Sequence, residues 1–211
     1  MSGADRGAVM SLPAAAILAG GRAVRLGGLK KALIEVGGRA ILDHQLDVLA
    51  PRALRIAAVL APDDDDEPFA RRGLAIVRDR IAGAGPMAGL AAALAWAHDA
   101  PLFALACDMP LIDGRVVELV TTRARGADLA VPIANGRVQP LFACYSPRCR
   151  ALVDDAMASG SLRLASLPDA ARAAGLTVEE ITESEIRTID PELRSFANMN
   201  EPSDRSWIDG L

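Results

Sequence analysis

Ala14-Ala15-Ala16-Ile17-Leu18-Ala19-Gly20-Gly21 decides the fold. Six apolar residues without polar alternation, stopped by two glycines, read as a strand buried on both faces that feeds a tight loop. The same kind of element recurs at Arg55 to Ala61, Leu74 to Val77 and Leu102 to Cys107. Helical spacing lies between these runs: Ile41, Leu42, Leu46, Val48 and Leu49 within 40–49, and an Ala-rich stretch from Pro86 to His98 entered through Gly83-Ala84-Gly85-Pro86.

Further along, Asp113 is placed to cap a helix running to about Arg125. Leu129 to Ile133 and Pro140 to Tyr145 read as strands, and Pro147 to Ala158 as a helix. Leu164 to Ala174 is expected helical, Leu176 to Ile181 extended, Phe196 to Glu201 a loop, and the tail from Pro202 helical. Strands alternating with helices imply right-handed crossovers, and hence a three-layer α/β/α sandwich with a mostly parallel, Rossmann-like central sheet. The whole chain, 1–211, is expected to be one domain, with 1–13 a flexible N-terminal segment; no repeat or linker interrupts it.

The bulk numbers exclude several classes. A net charge of −4 disfavours a nucleic-acid partner, which needs a basic face. The strongest apolar run, Met87 to Ala97, is about half of the ~20 residues a membrane span requires, and no signal peptide precedes Pro13, so a cytoplasmic protein without a membrane partner is expected. Cys107, Cys144 and Cys149 form no CxxC pair and suit reduced thiols, and two histidines are too few for a His-built metal site.

In parallel sheets ligands collect at the carboxyl ends of the strands, so the loops there carry the chemistry. The first, running from Leu18 to Lys31, combines Gly20, Gly21, Gly27 and Gly28 with Arg22, Arg25, Lys30 and Lys31. Glycines let backbone N–H groups approach phosphate oxygens, while Arg and Lys offset their charge. The loop matches neither GxxxxGK[ST] nor GxGxxG, which removes the usual NTPase and dinucleotide readings. The second feature is Cys107-Asp108-Met109-Pro110, where a lone carboxylate ends a buried strand. Mg²⁺ is commonly held by one or two carboxylates plus substrate phosphates, so Asp108 is the metal candidate; capping the following helix is the competing role. The acidic run Asp63 to Glu67 reads as a solvated loop without catalytic weight. Asn198-Met199-Asn200 could complete a metal shell, or could simply form a turn before Pro202.

Together these motifs resemble the molybdenum cofactor guanylyltransferase family of nucleotidyltransferases. The anchors are LAGG-x3-R-x-GG-x2-K at 18–31, Asp79 followed by Gly85-Pro86-Met87-Ala88-Gly89, Cys107-Asp108-Met109-Pro110, and Asn198-x-Asn200, in that order over most of the chain. The resemblance implies GTP bound by Leu18, Ala19, Gly20, Gly21, Lys31, Asp79 and Asp108. It implies catalysis by Arg25, Lys31 and Asp108, Mg²⁺ on Asp108, and Asn198 and Asn200 as contacts to the acceptor or metal. It also implies transfer of GMP to the phosphate of molybdopterin or Mo-molybdopterin, with transient contact to cofactor-synthesis proteins or apoenzymes.

Three positions depart from the family pattern. Lys30 stands where Asp often precedes the loop lysine, no asparagine occurs around Val59 and Leu60, and Gln139-Pro140 replaces a His-Pro pair. The nearest alternative is a cytidylyltransferase acting on the same pterin, and a noncatalytic nucleotide or cofactor carrier is the alternative from another class. A sugar-phosphate nucleotidylyltransferase would want an added domain and more aromatic residues. Arg163 is a weak acceptor-side candidate that reads more readily as a solvated helix residue.

Overall fold

The computed structural model describes residues 14–20, 30–79, 85–161 and 163–199. The expected N-terminal segment 1–13 and the tail helix from Pro202 lie outside them. Strand β1 (Ala14–Leu18) leads into a 3-10 turn at Lys31–Leu33 and a small hairpin, β2 (Glu35–Val36) and β3 (Arg39–Ala40). Then come α1 (Ile41–Leu49), β4 (Ile56–Leu60), α2 (Glu67–Ala70), β5 (Ala75–Arg78), α3 (Gly85–Ala97) and β6 (Leu102–Ala106). The second half holds α4 (Gly114–Arg123), β7 (Leu129–Ala134), β8 (Arg137–Val138), β9 (Phe142–Tyr145), α5 (Cys149–Ala158), α6 (Leu167–Ala173), β10 (Val178–Ile181) and α7 (Glu183–Arg187).

The central sheet runs β10-β7-β9-β6-β1-β4-β5, with β8 paired to β7. β1 lies between β4 and β6, parallel to both, and β4 is parallel to β5. β9 runs antiparallel to both β6 and β7, and β8 antiparallel to β7. This is the expected α/β sandwich with a mostly parallel central sheet, and β1 shows why its sequence lacks alternation. Ala15 and Ile17 pack into the apolar layer beside α1 and α4, whereas Ala14, Ala16 and Leu18 pack into the opposite layer beneath α3 and α5. With both faces buried, neither side calls for polar residues.

Helix α4 starts where expected, with the Asp113 carboxylate accepting from the Arg115 amide at 2.7 Å. α7 begins with a capping box between Thr182 and Glu185 that sequence patterning did not anticipate. The acidic run is solvated at Asp63, Asp65 and Glu67, as expected, and departs from that reading at Asp64 and Asp66. Asp64 is largely buried and ion-paired with Lys30, Asp66 meets Arg78 at 2.5 Å, and Glu67 opens α2. Asp64 and Asp66 are drawn in by Lys30 and Arg78, and Arg78 also donates to the carbonyls of Ala61 (3.1 Å) and Asp64 (2.6 Å). No helix among the described residues is long and apolar enough to cross a membrane.

Candidate active site

The parallel strands β1, β4, β5 and β6 all deliver their carboxyl ends to one crevice of about 730 Å³. Small-molecule sites usually span ~300–1,000 Å³. Its walls include Leu18 and Gly20 after β1, Ala61 to Asp64 after β4, Asp79 after β5, Gly85, Pro86 and Gly89 at the start of α3, and Cys107 and Asp108 after β6. Lys31 and Leu141 close it.

Glycine matters at two of these positions because the walls approach closely. A Cβ on Gly20 would lie 3.3 Å from the Ala61 amide nitrogen, and one on Gly89 would lie 3.2 Å from Leu18 Cδ2. The first would push against backbone, the second against the end of a side chain. The β1 and β4 exits are further tied by the Ala19 amide donating to the Val59 carbonyl at 2.9 Å, and β5 by the Asp79 amide donating to the Leu60 carbonyl at 2.8 Å.

At the centre Lys31 Nζ lies 2.9 Å from Asp108 Oδ2, with both side chains partly shielded from solvent. The Asp108 carbonyl accepts from the Met199 amide at 2.8 Å, which brings the 197–199 segment against the same turn. Cys107, next in chain, is a packed thiol; burial, then the adjacent Asp108 charge, pushes it up to about 12, so it stays protonated and inert. Among the described residues no cluster of three His, Cys, Asp or Glu is arranged to hold a metal. Asp108 thus faces the crevice as a hard oxygen donor outside any three-residue cluster, which fits an ion sharing its shell with substrate phosphates and not an all-protein cage.

Model residues of the MobA-like NTP transferase domain match 15–171 of this chain, spanning every element that builds the crevice. The chain belongs to that family. MobA-like domains are nucleotidyltransferases, enzymes whose chemistry typically depends on a divalent metal. A relative from Pelotomaculum thermopropionicum, named a probable molybdenum cofactor guanylyltransferase, is 35% identical over 188 residues, covering 89% of this chain and 87% of its own. One from Rhodopseudomonas palustris, named a molybdenum cofactor guanylyltransferase, is 35% identical over 202 residues, covering 90% and 89%. Among solved structures, molybdopterin-guanine dinucleotide biosynthesis protein A from Archaeoglobus fulgidus superposes with a TM-score of 0.73 at 24% identity, covering 93% of this chain and 97% of that one, a likeness of fold.

Of the residues singled out in the sequence, Leu18, Gly20, Lys31, Asp79 and Asp108 line one MobA-like crevice. Ala19 is turned into the core and contributes its backbone. Asn198 is exposed beside Met199 and does not line the crevice. Arg163 is exposed before the 3-10 turn Leu164–Ser166 and also lies away from it. Gly21, Arg25 and Asn200 lie outside the described residues. Sequence reading passed over Asp63, Asp64 and Gln45. The first two were discounted as a charge run, although they wall the crevice. Gln45 had a legible signal: it stands in the buried stripe of α1 with Ile41, Leu42 and Leu49.

Proposed function

We propose that this chain is a molybdenum cofactor guanylyltransferase: it transfers GMP from GTP to the terminal phosphate of molybdopterin or Mo-molybdopterin and releases pyrophosphate. The observation that carries the reading is the Lys31–Asp108 pair, a cation and a metal-competent carboxylate at 2.9 Å inside a nucleotide-sized crevice. The names of the 35% identical relatives support the choice of base and acceptor.

An oxygen of the acceptor phosphate attacks the α-phosphorus of GTP, the bond to the β-phosphate bridging oxygen breaks, and the electron pair leaves with pyrophosphate. A phosphate nucleophile is already ionised near neutral pH, so the chain need supply no general base. Such transfers depend on positioning and on charge stabilisation. Lys31, with Arg25 of the same loop, takes the triphosphate charge; Leu18, Ala19, Gly20 and Gly21 hold the nucleotide; Asp79 faces the guanine side. Asp108 would hold Mg²⁺, and the ion would offset charge on the phosphates and the leaving group. Asn200 assists at the acceptor or metal, whereas Asn198, exposed and outside the crevice lining, is given no part.

On this reading 1–211 is one nucleotidyltransferase domain that works in the cytosol, consistent with three buried free thiols. It would hand its product to cofactor-synthesis proteins or apoenzymes by transient contact. Calorimetric titration with GTP, CTP, ATP and UTP, with Mg²⁺ and then with chelator, tests the reading. Selective, Mg²⁺-dependent GTP binding is expected. A preference for CTP would make this a cytidylyltransferase, and no binding of any nucleotide would point to a carrier.

A further inference from the structure

α1 is an amphipathic helix whose core-facing residues Ile41, Leu42 and Leu49 are fully buried, and its fourth fully buried residue is Gln45. Leucine would suit that position in an apolar layer, so an amide there calls for a reason. Its Nε2 donates to two carbonyls, Ala106 O at 2.7 Å and Met109 O at 3.1 Å. Its Oε1 finds no partner among the described residues. Burying an unpartnered carbonyl oxygen is unfavourable, so the donor end is what the position retains glutamine for.

The two acceptors bracket one short turn. Ala106 is the last residue of β6, Met109 is three residues on, and between them lie Cys107, whose thiol is packed in the core, and Asp108. We propose that Gln45 is a positioning residue for Asp108: one buried amide hydrogen-bonds the backbone on both sides of the Cys107-Asp108 turn and thereby aims the carboxylate into the crevice. Two other anchors act on Asp108 directly, Met199 on its carbonyl and Lys31 on its carboxylate. Gln45 holds the same turn from beneath, out of reach of any ligand. The inference rests on reading Asp108 as the metal carboxylate.

Outer contacts that orient a metal ligand typically govern affinity by ~10–100-fold. Gln45→Met keeps length and volume, removes both donors and removes the orphan oxygen. Gln45→Asn keeps an amide but withdraws it by one methylene. GTP binding is measured by calorimetry across a Mg²⁺ series, and Mn²⁺ binding in the presence of GTP by its electron paramagnetic resonance signal, for the wild type, both Gln45 variants and Asp108→Asn. The expected result is a rise of roughly tenfold in the Mg²⁺ and Mn²⁺ needed for half-maximal binding in the Gln45 variants, with metal-free GTP affinity within about twofold of wild type and a cooperative melt retained.

A wild-type metal requirement in whichever Gln45 variant folds, beside an impaired Asp108→Asn, overturns this inference alone. Equal loss of GTP binding with and without metal would also overturn it, because that is the mark of a purely structural residue. A wild type that binds no GTP defeats the reading of the site, and undiminished metal binding in Asp108→Asn defeats the metal role; either outcome takes the positioning role with it.

Discussion

Lys31 and Asp108 stand 77 positions apart in the chain and meet at 2.9 Å across the mouth of the crevice. Asp108 follows the end of β6 and Lys31 opens the 3-10 turn Lys31–Leu33, so two elements distant in sequence supply the pair. Asp108→Ala should lower turnover by at least ~10²–10³-fold, the usual cost of removing an electrostatic group from such a site. The pair is partly solvated, so stability should change by no more than ~1 kcal/mol. Steady-state rates alongside a thermal melt check both parts; wild-type turnover in the variant removes Asp108 from the mechanism.

Gly20→Ala should act on binding more than on folding. The added methyl meets the Ala61 amide at 3.3 Å, and backbone on both sides resists the shift. Spreading the β1 and β4 exits by a few tenths of an ångström should weaken GTP several-fold in calorimetry. Gly89→Ala presses only on the tip of Leu18 and should be the milder of the two. Equal affinities across wild type and both variants would mean that the close approach is not used by the nucleotide.

Far from the crevice, the buried Asp128 carboxylate accepts from the Thr177 amide and hydroxyl, both at 2.9 Å, from Ser146 Oγ at 3.0 Å and from Arg148 at 2.9 Å. Burial raises its pKa, but the Thr177 and Ser146 hydrogen bonds and the Arg148 charge together outweigh that and hold it below the usual aspartate value. A depressed folded pKa gives stability that is present above the unfolded value and lost as pH falls through the folded one. The melting temperature should therefore drop below about pH 4. Asp128→Asn should melt lower at pH 7 and show a shallower acid decline; parallel pH curves for the two proteins would contradict this.

Cys107, Cys144 and Cys149 are all buried, and burial pushes each thiol up, Cys149 to about 11. At pH 8 the thiolate fraction is small and shielded. Iodoacetamide should leave the native protein unmodified by mass spectrometry and label three sites once it is denatured. Rapid native labelling at Cys107 would show that the Asp108 turn opens.

The crevice strands were legible because each carries a local signature: β1, β4 and β6 are apolar on both faces, and β1 runs out into glycine and β6 into a lone carboxylate. The direction of β9 was not, because Phe142 to Tyr145 reads the same in either sense, and only its pairing with β6 and β7 settles it. β8 could have been found, since Asn135-Gly136, both at positive φ, is a strong two-residue hairpin signal. The acidic loop misled because charge repulsion was judged from neighbours in sequence, whereas its partners Lys30 and Arg78 arrive from elsewhere. Gln45 is the same failure inverted: its polarity looked incidental until its two carbonyl acceptors, 61 and 64 positions away, came into view.

The reversal of β9 has an evolutionary side. Because that strand runs backwards, its beginning, at Leu141 and Phe142, lies at the crevice edge beside the end of β6, where the Leu141 carbonyl accepts from the Ala106 amide at 2.8 Å. One rim of the crevice is thus made of strand exits and the opposite rim of a strand entrance reached through the 135–141 hairpin. Changes of length or composition in that hairpin can reshape one rim while leaving the β1 and β6 exits and Asp108 in register. A lineage of such proteins can therefore vary one wall of the crevice by trial in a single turn, with the parallel strand exits inherited intact.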